Sequence, residues 1–174
     1  MKFSTLLAPL ALLIPAATAD HAGEVAIEQA LIAVRDSTLK LGSMFPLWNG
    51  QYEGTKKIVN QTTAVLNNIR AGTAVATAAA PLAILETLGV AQQVILLAEA
   101  VPLAMQQLMD ARPKFAALEL VPVILMTVEL QKCATRDMSA AITAKVPANL
   151  RDVANTLVLP INKALDRAIA AYQP

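Results

Sequence analysis

The 174-residue chain reads as an all-α protein, an antiparallel bundle of about five long helices. Apolar side chains recur at intervals of three and four through most of it, the spacing that lines one face of a helix. Proline, glycine and asparagine gather at short junctions between these runs, and helices joined by so few residues usually lie antiparallel.

The first helix is expected over about His21 to Met44, with Ile27, Leu31, Val34, Thr38, Leu41 and Phe45 on its apolar face. Gly42, Pro46 and Asn49-Gly50 then mark its end and a turn. Trp48, the single tryptophan, falls in that turn, where it either caps one end of the bundle or projects as an apolar wedge. The second helix is expected over about Tyr52 to Ala78, with Ile58, Thr62, Val65, Leu66, Ile69 and Thr73 at helical spacing. It carries the sequon Asn60-Gln61-Thr62, which makes Asn60 the candidate glycosylation site if it faces solvent.

Pro81 suits a turn or a first helical residue, and the third helix follows over about Leu82 to Ala111, with Leu88, Ala91, Ile95, Ala98, Pro102, Met105 and Met109 in step. Leu118, Val121, Leu125 and Val128, then Met138, Ala141 and Ile142, mark a fourth helix. Pro147 breaks it, because proline lacks an N–H and disfavours helical geometry at Val146. The fifth helix carries Leu150, Val153, Ala154, Leu157, Ile161, Ala164, Leu165, Ala168, Ile169 and Tyr172. Interior prolines bend helices, so kinks are expected at Pro102, Pro122 and Pro160. A bundle bent three times leaves room for a central apolar cavity, although packing alone can also absorb such bends.

Lys2, an apolar core from Leu6 to Ala17 and Ala17-Thr18-Ala19 ahead of Asp20 have the layout of a secretory signal peptide. Cleavage after Ala19 would leave residues 20–174 as a single domain with a core of its own. The chain has 14 basic and 13 acidic residues, and loss of Lys2 balances them, so no basic field exists to hold nucleic acid. After the leader, charges such as Glu99, Glu119 and Glu129 interrupt the apolar runs, and no transmembrane segment is expected.

Cys133 is the one cysteine, so an internal disulfide is impossible; it is a core or flank thiol, or it pairs two chains. His21 is the one histidine, and with a single distant cysteine it supplies no convergent metal site. No nucleophile elbow, metalloprotease helix motif or glycine-rich phosphate loop is present, and the acidic residues are spread along charged faces. No catalytic residue, metal or cofactor is expected.

The order Arg112-Pro113-Lys114-Phe115, a long helix, Ala144-Lys145-Val146-Pro147-Ala148-Asn149-Leu150, and a closing Ala164-Leu165-Asp166-Arg167-Ala168-Ile169-Ala170-Ala171-Tyr172 resembles the fungal hydrophobic surface binding protein A family, which includes cell-wall galactomannoproteins. The resemblance covers most of the chain after residue 20, with the basic-Pro-x-Phe and Ala-Lys-Val-Pro elements as its distinctive parts. It implies a helical bundle that binds long-chain fatty acids or similar lipids.

Two functions follow as expectations. The first is a secreted, non-enzymatic carrier that holds a lipid tail between its helices. A fourteen-methylene tail gains about 11 kcal/mol gross at ~0.8 kcal/mol per buried CH₂, and association takes back ~4–15 kcal/mol. The expected lining is Leu66, Ile69, Ile95, Met105, Met109, Leu125, Val128, Leu157, Ile161 and Leu165, with Gln93, Gln106, Gln107, Thr62 and Gln131 as candidates for the head group. The second is an interaction protein that adsorbs to hydrophobic solids or the fungal cell wall and recruits a secreted hydrolase. The chain ends at Tyr172-Gln173-Pro174 without a Ser/Thr-rich stalk or an apolar anchor tail, which favours free secretion over stable wall attachment.

Overall fold

The computed structural model describes residues 17–174, so all but the last three residues of the expected signal peptide at 1–19 lie outside the described residues. The helices are α1 (Ala17–Leu47), α2 (Tyr52–Ala78), α3 (Ile84–Asp110), α4 (Arg112–Ala117), α5 (Val121–Lys145), α6 (Arg151–Leu157) and α7 (Leu159–Tyr172). A 3-10 turn at Ala148–Leu150 precedes α6. No strand occurs among the described residues.

The expected fourth and fifth helices are each broken, and local chemistry explains both breaks. The α4 helix ends in a Schellman motif: Leu120 N–H donates to the Phe115 carbonyl at 2.9 Å and Glu119 N–H to the Ala116 carbonyl at 3.0 Å. Glu119 takes the left-handed position that glycine usually occupies, with φ 57°. Pro122 then sits in the first turn of α5 and Pro160 in the first turn of α7, where a missing N–H costs nothing. The kinks expected at these two prolines are therefore helix starts, while Pro102 does lie inside α3. Val146, held extended ahead of Pro147, ends α5, and Arg151 Nε turns back to the Val146 carbonyl at 3.1 Å.

Five long helices close into a ring in the order α1, α2, α5, α7, α3 and back to α1. Helices that follow one another along the chain alternate in direction, as the short connections require. The ring order interleaves them, so three of the five packed neighbours run parallel. Gly89 on α3 faces Glu24 and Glu28 on α1 while Gly42 faces Ala104 and Gln107, so α1 and α3 advance together. On α2 and α5, Gly72 meets Met138 and the Thr77 carbonyl accepts from Lys145 Nζ, again in parallel register. On α1 and α2 the order reverses, with Gln61 Nε2 donating to the Ser37 carbonyl and Asn68 Nδ2 to the Ala33 carbonyl.

The apolar face expected for the first helix is the buried face of α1: Ile27, Leu31, Val34, Thr38, Leu41 and Phe45 are all 4% exposed or less. On α3 the phase is different. Its inward residues include Thr87, Val90, Val94, Leu97, Val101 and Leu108, whereas Leu88 and Ile95 are exposed. This helix is apolar nearly all round, long and apolar enough by composition to cross a membrane, and periodicity alone does not settle which face turns inward.

One end of the ring is closed by aromatic side chains. Trp48 takes the capping role: it is 5% exposed, its ring lies 4.5 Å from that of Phe115, and its Nε1 donates to the Gln51 carbonyl at 2.9 Å. Phe45 and Tyr172 meet Phe115 edge-on. The Tyr172 hydroxyl donates to the Leu108 carbonyl at 2.7 Å, tying the last turn of α7 to α3.

Candidate functional site

Three apolar hollows follow the inside of the ring. The central one, about 40 Å³, is lined from all five ring helices, including Val34 and Thr38 on α1, Val65 and Ile69 on α2, Leu97 on α3, Met138 on α5 and Ile161 on α7. Towards the aromatic end lies a second hollow of about 20 Å³, bounded by Phe45, Ile58, Thr62, Leu108, Ile124, Thr127 and Val128. Leu41, Met105 and Gln131 border both and form the waist between them.

The third hollow is a cleft of about 100 Å³ at the opposite end. Its walls are Thr87, Val90, Ala91 and Val94 of α3, Ser139, Ile142 and Thr143 of α5, and Leu150, Val153, Ala154 and Leu157 of the 3-10 turn and α6. The Thr87 hydroxyl is engaged by the Ala83 carbonyl at 2.9 Å, so its donor is not free for a ligand. Neither the 3-10 turn nor α6 contributes a buried residue. The side chains at 150, 153, 154 and 157, expected to fill a continuous core stripe, roof this cleft instead, and Val153 is 57% exposed. A larger hollow of about 370 Å³ near Trp48 is a surface groove edged by Leu47, Asn49 and Lys57.

Among the ten residues expected to line the site, Ile69, Met105, Ile161 and Leu165 border the central hollow, Met105 and Val128 the hollow beside it, and Leu157 the cleft. Leu66, Met109 and Leu125 are partly buried but border none of the three hollows. Ile95 is 39% exposed, and Val94 and Leu97 take the inward positions beside it. Val90, Val94, Ala91 and Ile142 were not among the expected lining. The proline at 147 was the available signal for them, because a helix that stops there leaves its last turn open to α3.

The head-group candidates separate by burial. Gln106 is exposed and bonded to Asp110 and Arg167. Gln107 lies against α1 at Gly42, and the Thr62 hydroxyl donates to the Ile58 carbonyl. Gln93 is partly exposed. Gln131 alone among them is buried, at 4% exposure, and it borders two hollows. Asn60 is exposed on α2, and Cys133 is an exposed free thiol on α5. Among the described residues no three His, Cys, Asp or Glu side chains converge as metal ligands.

The helices form a closed ring around small apolar hollows, and no titratable side chain borders any of the inner three. The chain belongs to the hydrophobic surface binding protein A family, whose model matches residues 25–144. Comparison with curated proteins found no match. Among solved structures, AfMP4p in complex with palmitic acid is 17% identical with a TM-score of 0.83, over 86% of this chain and 99% of that one. Ligand binding domain 1 of the Penicillium marneffei MP1 protein, complexed with arachidonic acids, is 15% identical with a TM-score of 0.81, over 86% and 97% of the two chains. Domain 2 of the same protein, complexed with multiple arachidonic acids, is 18% identical with a TM-score of 0.78, over 85% and 94%. At such identities the likeness establishes a shared fold.

Proposed function

We propose that the protein is a secreted, non-enzymatic carrier that takes the chain of a fatty acid or similar lipid into the space between its helices. The observation that carries this reading is the line of apolar hollows along the inside of the ring, free of titratable groups. The ligands of the similar folds, palmitic and arachidonic acids, support it. The cleft of about 100 Å³ is smaller than the ~300–1,000 Å³ usual for ligand sites, so uptake requires the bundle to swell. The roof made by the 3-10 turn and α6 is the part able to yield, since it buries no residue of its own and is joined through the turn at Val158 and the Val146-Pro147 pair. Ile69, Met105, Val128, Leu157, Ile161 and Leu165 then contact the chain; Leu66, Ile95, Met109 and Leu125 would reach it only after such a rearrangement.

Native mass spectrometry of the secreted protein, with organic extraction of whatever dissociates, tests the carrier role. A long-chain lipid at defined stoichiometry supports it. A protein that is empty and also refuses added hexadecanoic acid contradicts it. The same sample reports the N-terminus, expected at Asp20, and the loss of a glycan from Asn60 on amidase treatment, which the exposure of that side chain favours.

One observation favours adsorption to hydrophobic surfaces as a second role. Leu88 and Val153 border the cleft and are 60% and 57% exposed, and Leu85, one turn earlier on α3, is 79% exposed. A hydrophobic solid or the cell wall would engage this rim, and a secreted hydrolase would be recruited by the adsorbed form. Competition distinguishes the roles: if a soluble fatty acid blocks adsorption, both use the same mouth.

A further inference from the structure

We infer that Gln131 is the polar subsite of the bundle interior, donating from Nε2 to an uncharged acyl oxygen, of a protonated carboxyl or an ester, that is drawn inside the helix ring. The inference rests on the carrier reading and adds where the ligand's oxygen goes and in which chemical state.

The side chain is 4% exposed, stands at the waist between the two inner hollows, and its buried Nε2 has no hydrogen-bond partner in the protein. A buried donor left unpaired is costly, and buried polar groups in folded proteins are nearly always paired. Of the four threonine hydroxyls that border the two hollows, on Thr38, Thr62, Thr127 and Thr135, three are already engaged as donors. Thr38, Thr62 and Thr127 each donate to the backbone carbonyl four residues earlier, at 2.8, 2.8 and 2.7 Å, which leaves them as acceptors. An acyl ligand brings to the unpaired Nε2 a carbonyl acceptor carried on a long apolar body.

The charge state follows from the lining. Neither inner hollow is bordered by a lysine, arginine or histidine from any of the five ring helices. An ionised carboxylate placed there would lose its hydration without gaining a counter-charge, and such groups neutralise instead. A carboxamide offers both N–H donors and a carbonyl acceptor, and a protonated carboxyl offers O–H and C=O, so the two are complementary. An ester uses the donor alone.

Displacement of a fluorescent apolar probe by dodecane, methyl dodecanoate and dodecanoic acid at pH 8 tests this on the full-length secreted protein. Wild type is expected to prefer the methyl ester to dodecane by roughly 10-fold, the scale of one buried hydrogen bond. Gln131→Leu is expected to abolish that preference while keeping dodecane binding, and Gln131→Met serves if the leucine variant folds poorly. The free acid, ionised in bulk at pH 8, is expected to bind more weakly than its ester and to recover as the pH is lowered to 5. Equal binding of all three by wild type, unchanged in either variant, overturns the inference and leaves the carrier reading standing. Tightest binding by the ionised acid also overturns it, since the oxygen then stays at the mouth. Failure to bind any of the three overturns the carrier reading and this inference together.

Discussion

Ala91→Leu puts the cleft to a quantitative test. Ala91 borders it from the N-terminal third of α3, and leucine adds three carbons to a hollow of about 100 Å³ with little loss of helix propensity. At ~0.8 kcal/mol per buried carbon the gross gain is about 2.4 kcal/mol, and ordering a leucine takes back ~0.5–1 kcal/mol. The folded state should gain about 1.5 kcal/mol, which for a chain of this size raises Tm by roughly 3–6 °C. The ligand loses what the side chain gains: ~24 cal/mol per Å³ over the same volume is again about 2.4 kcal/mol, or roughly a 60-fold rise in Kd. Thermal unfolding followed by circular dichroism and titration with a long-chain fatty acid measure the two effects on one sample. A higher Tm with unchanged affinity would show that the chain does not use the cleft. A lower Tm would show that the hollow is not there to be filled.

Three further outcomes follow from local chemistry. Tyr172→Phe should cost about 1 kcal/mol at neutral pH through loss of the bond to the Leu108 carbonyl. Burial raises the ionisation of Tyr172 well above the usual tyrosine range, with Arg112 acting in the opposite sense, so the folded state holds this proton more tightly than the unfolded. The contribution is therefore complete below about pH 10 and lost as the pH rises beyond it, and denaturation at pH 7 and 11 should show a smaller alkaline loss in the phenylalanine variant. Glu119→Gly should stabilise by about 0.5–1 kcal/mol, because glycine holds the left-handed position that ends α4 without steric cost; an unchanged urea midpoint would refute that account. Gly42→Val should destabilise by about 1–3 kcal/mol, since its Cβ would stand 3.1 Å from the Ala104 Cα and push α1 from α3.

Much of the architecture is legible in the sequence, and the failures have definite causes. The α2 helix spans Tyr52–Ala78 as read, because Asn49-Gly50 and an alanine run with Pro81 bracket a clear stripe. Along α1 the stripe and the buried face coincide, since charged residues occupy the other side. On α3 they diverge: Val94, Ile95, Leu96 and Leu97 are consecutive apolar residues, so the sequence offers several equivalent faces and only packing against α1 and α7 selects one. The break at Glu119 was not legible, because the left-handed position is filled by a residue that carries no turn signal. Pro122 and Pro160 were legible as disruptions, but their role as first-turn residues depended on where the preceding helices stop. Of the expected lining, spacing brought out Ile69, Met105, Ile161 and Leu165, which border one hollow, but it cannot show which glutamine is buried. Among the five head-group candidates, tertiary position buries only Gln131.

The interleaved order of the ring has a kinetic consequence. In a simple up-and-down bundle each helix docks on the one just synthesised, and mean contact separation stays low. Here α3 packs on α1 across the whole of α2, α5 packs on α2 across α3, and α7 joins α3 to α5. The ring cannot close until the final fourteen residues of helix, Leu159–Tyr172, have left the ribosome and seated their tyrosine against Leu108. Until then the inner faces of α3 and α5 are open to anything apolar nearby. Refolding in the presence of a long-chain lipid should therefore trap it in a single step, faster than the same lipid can work its way into the finished ring.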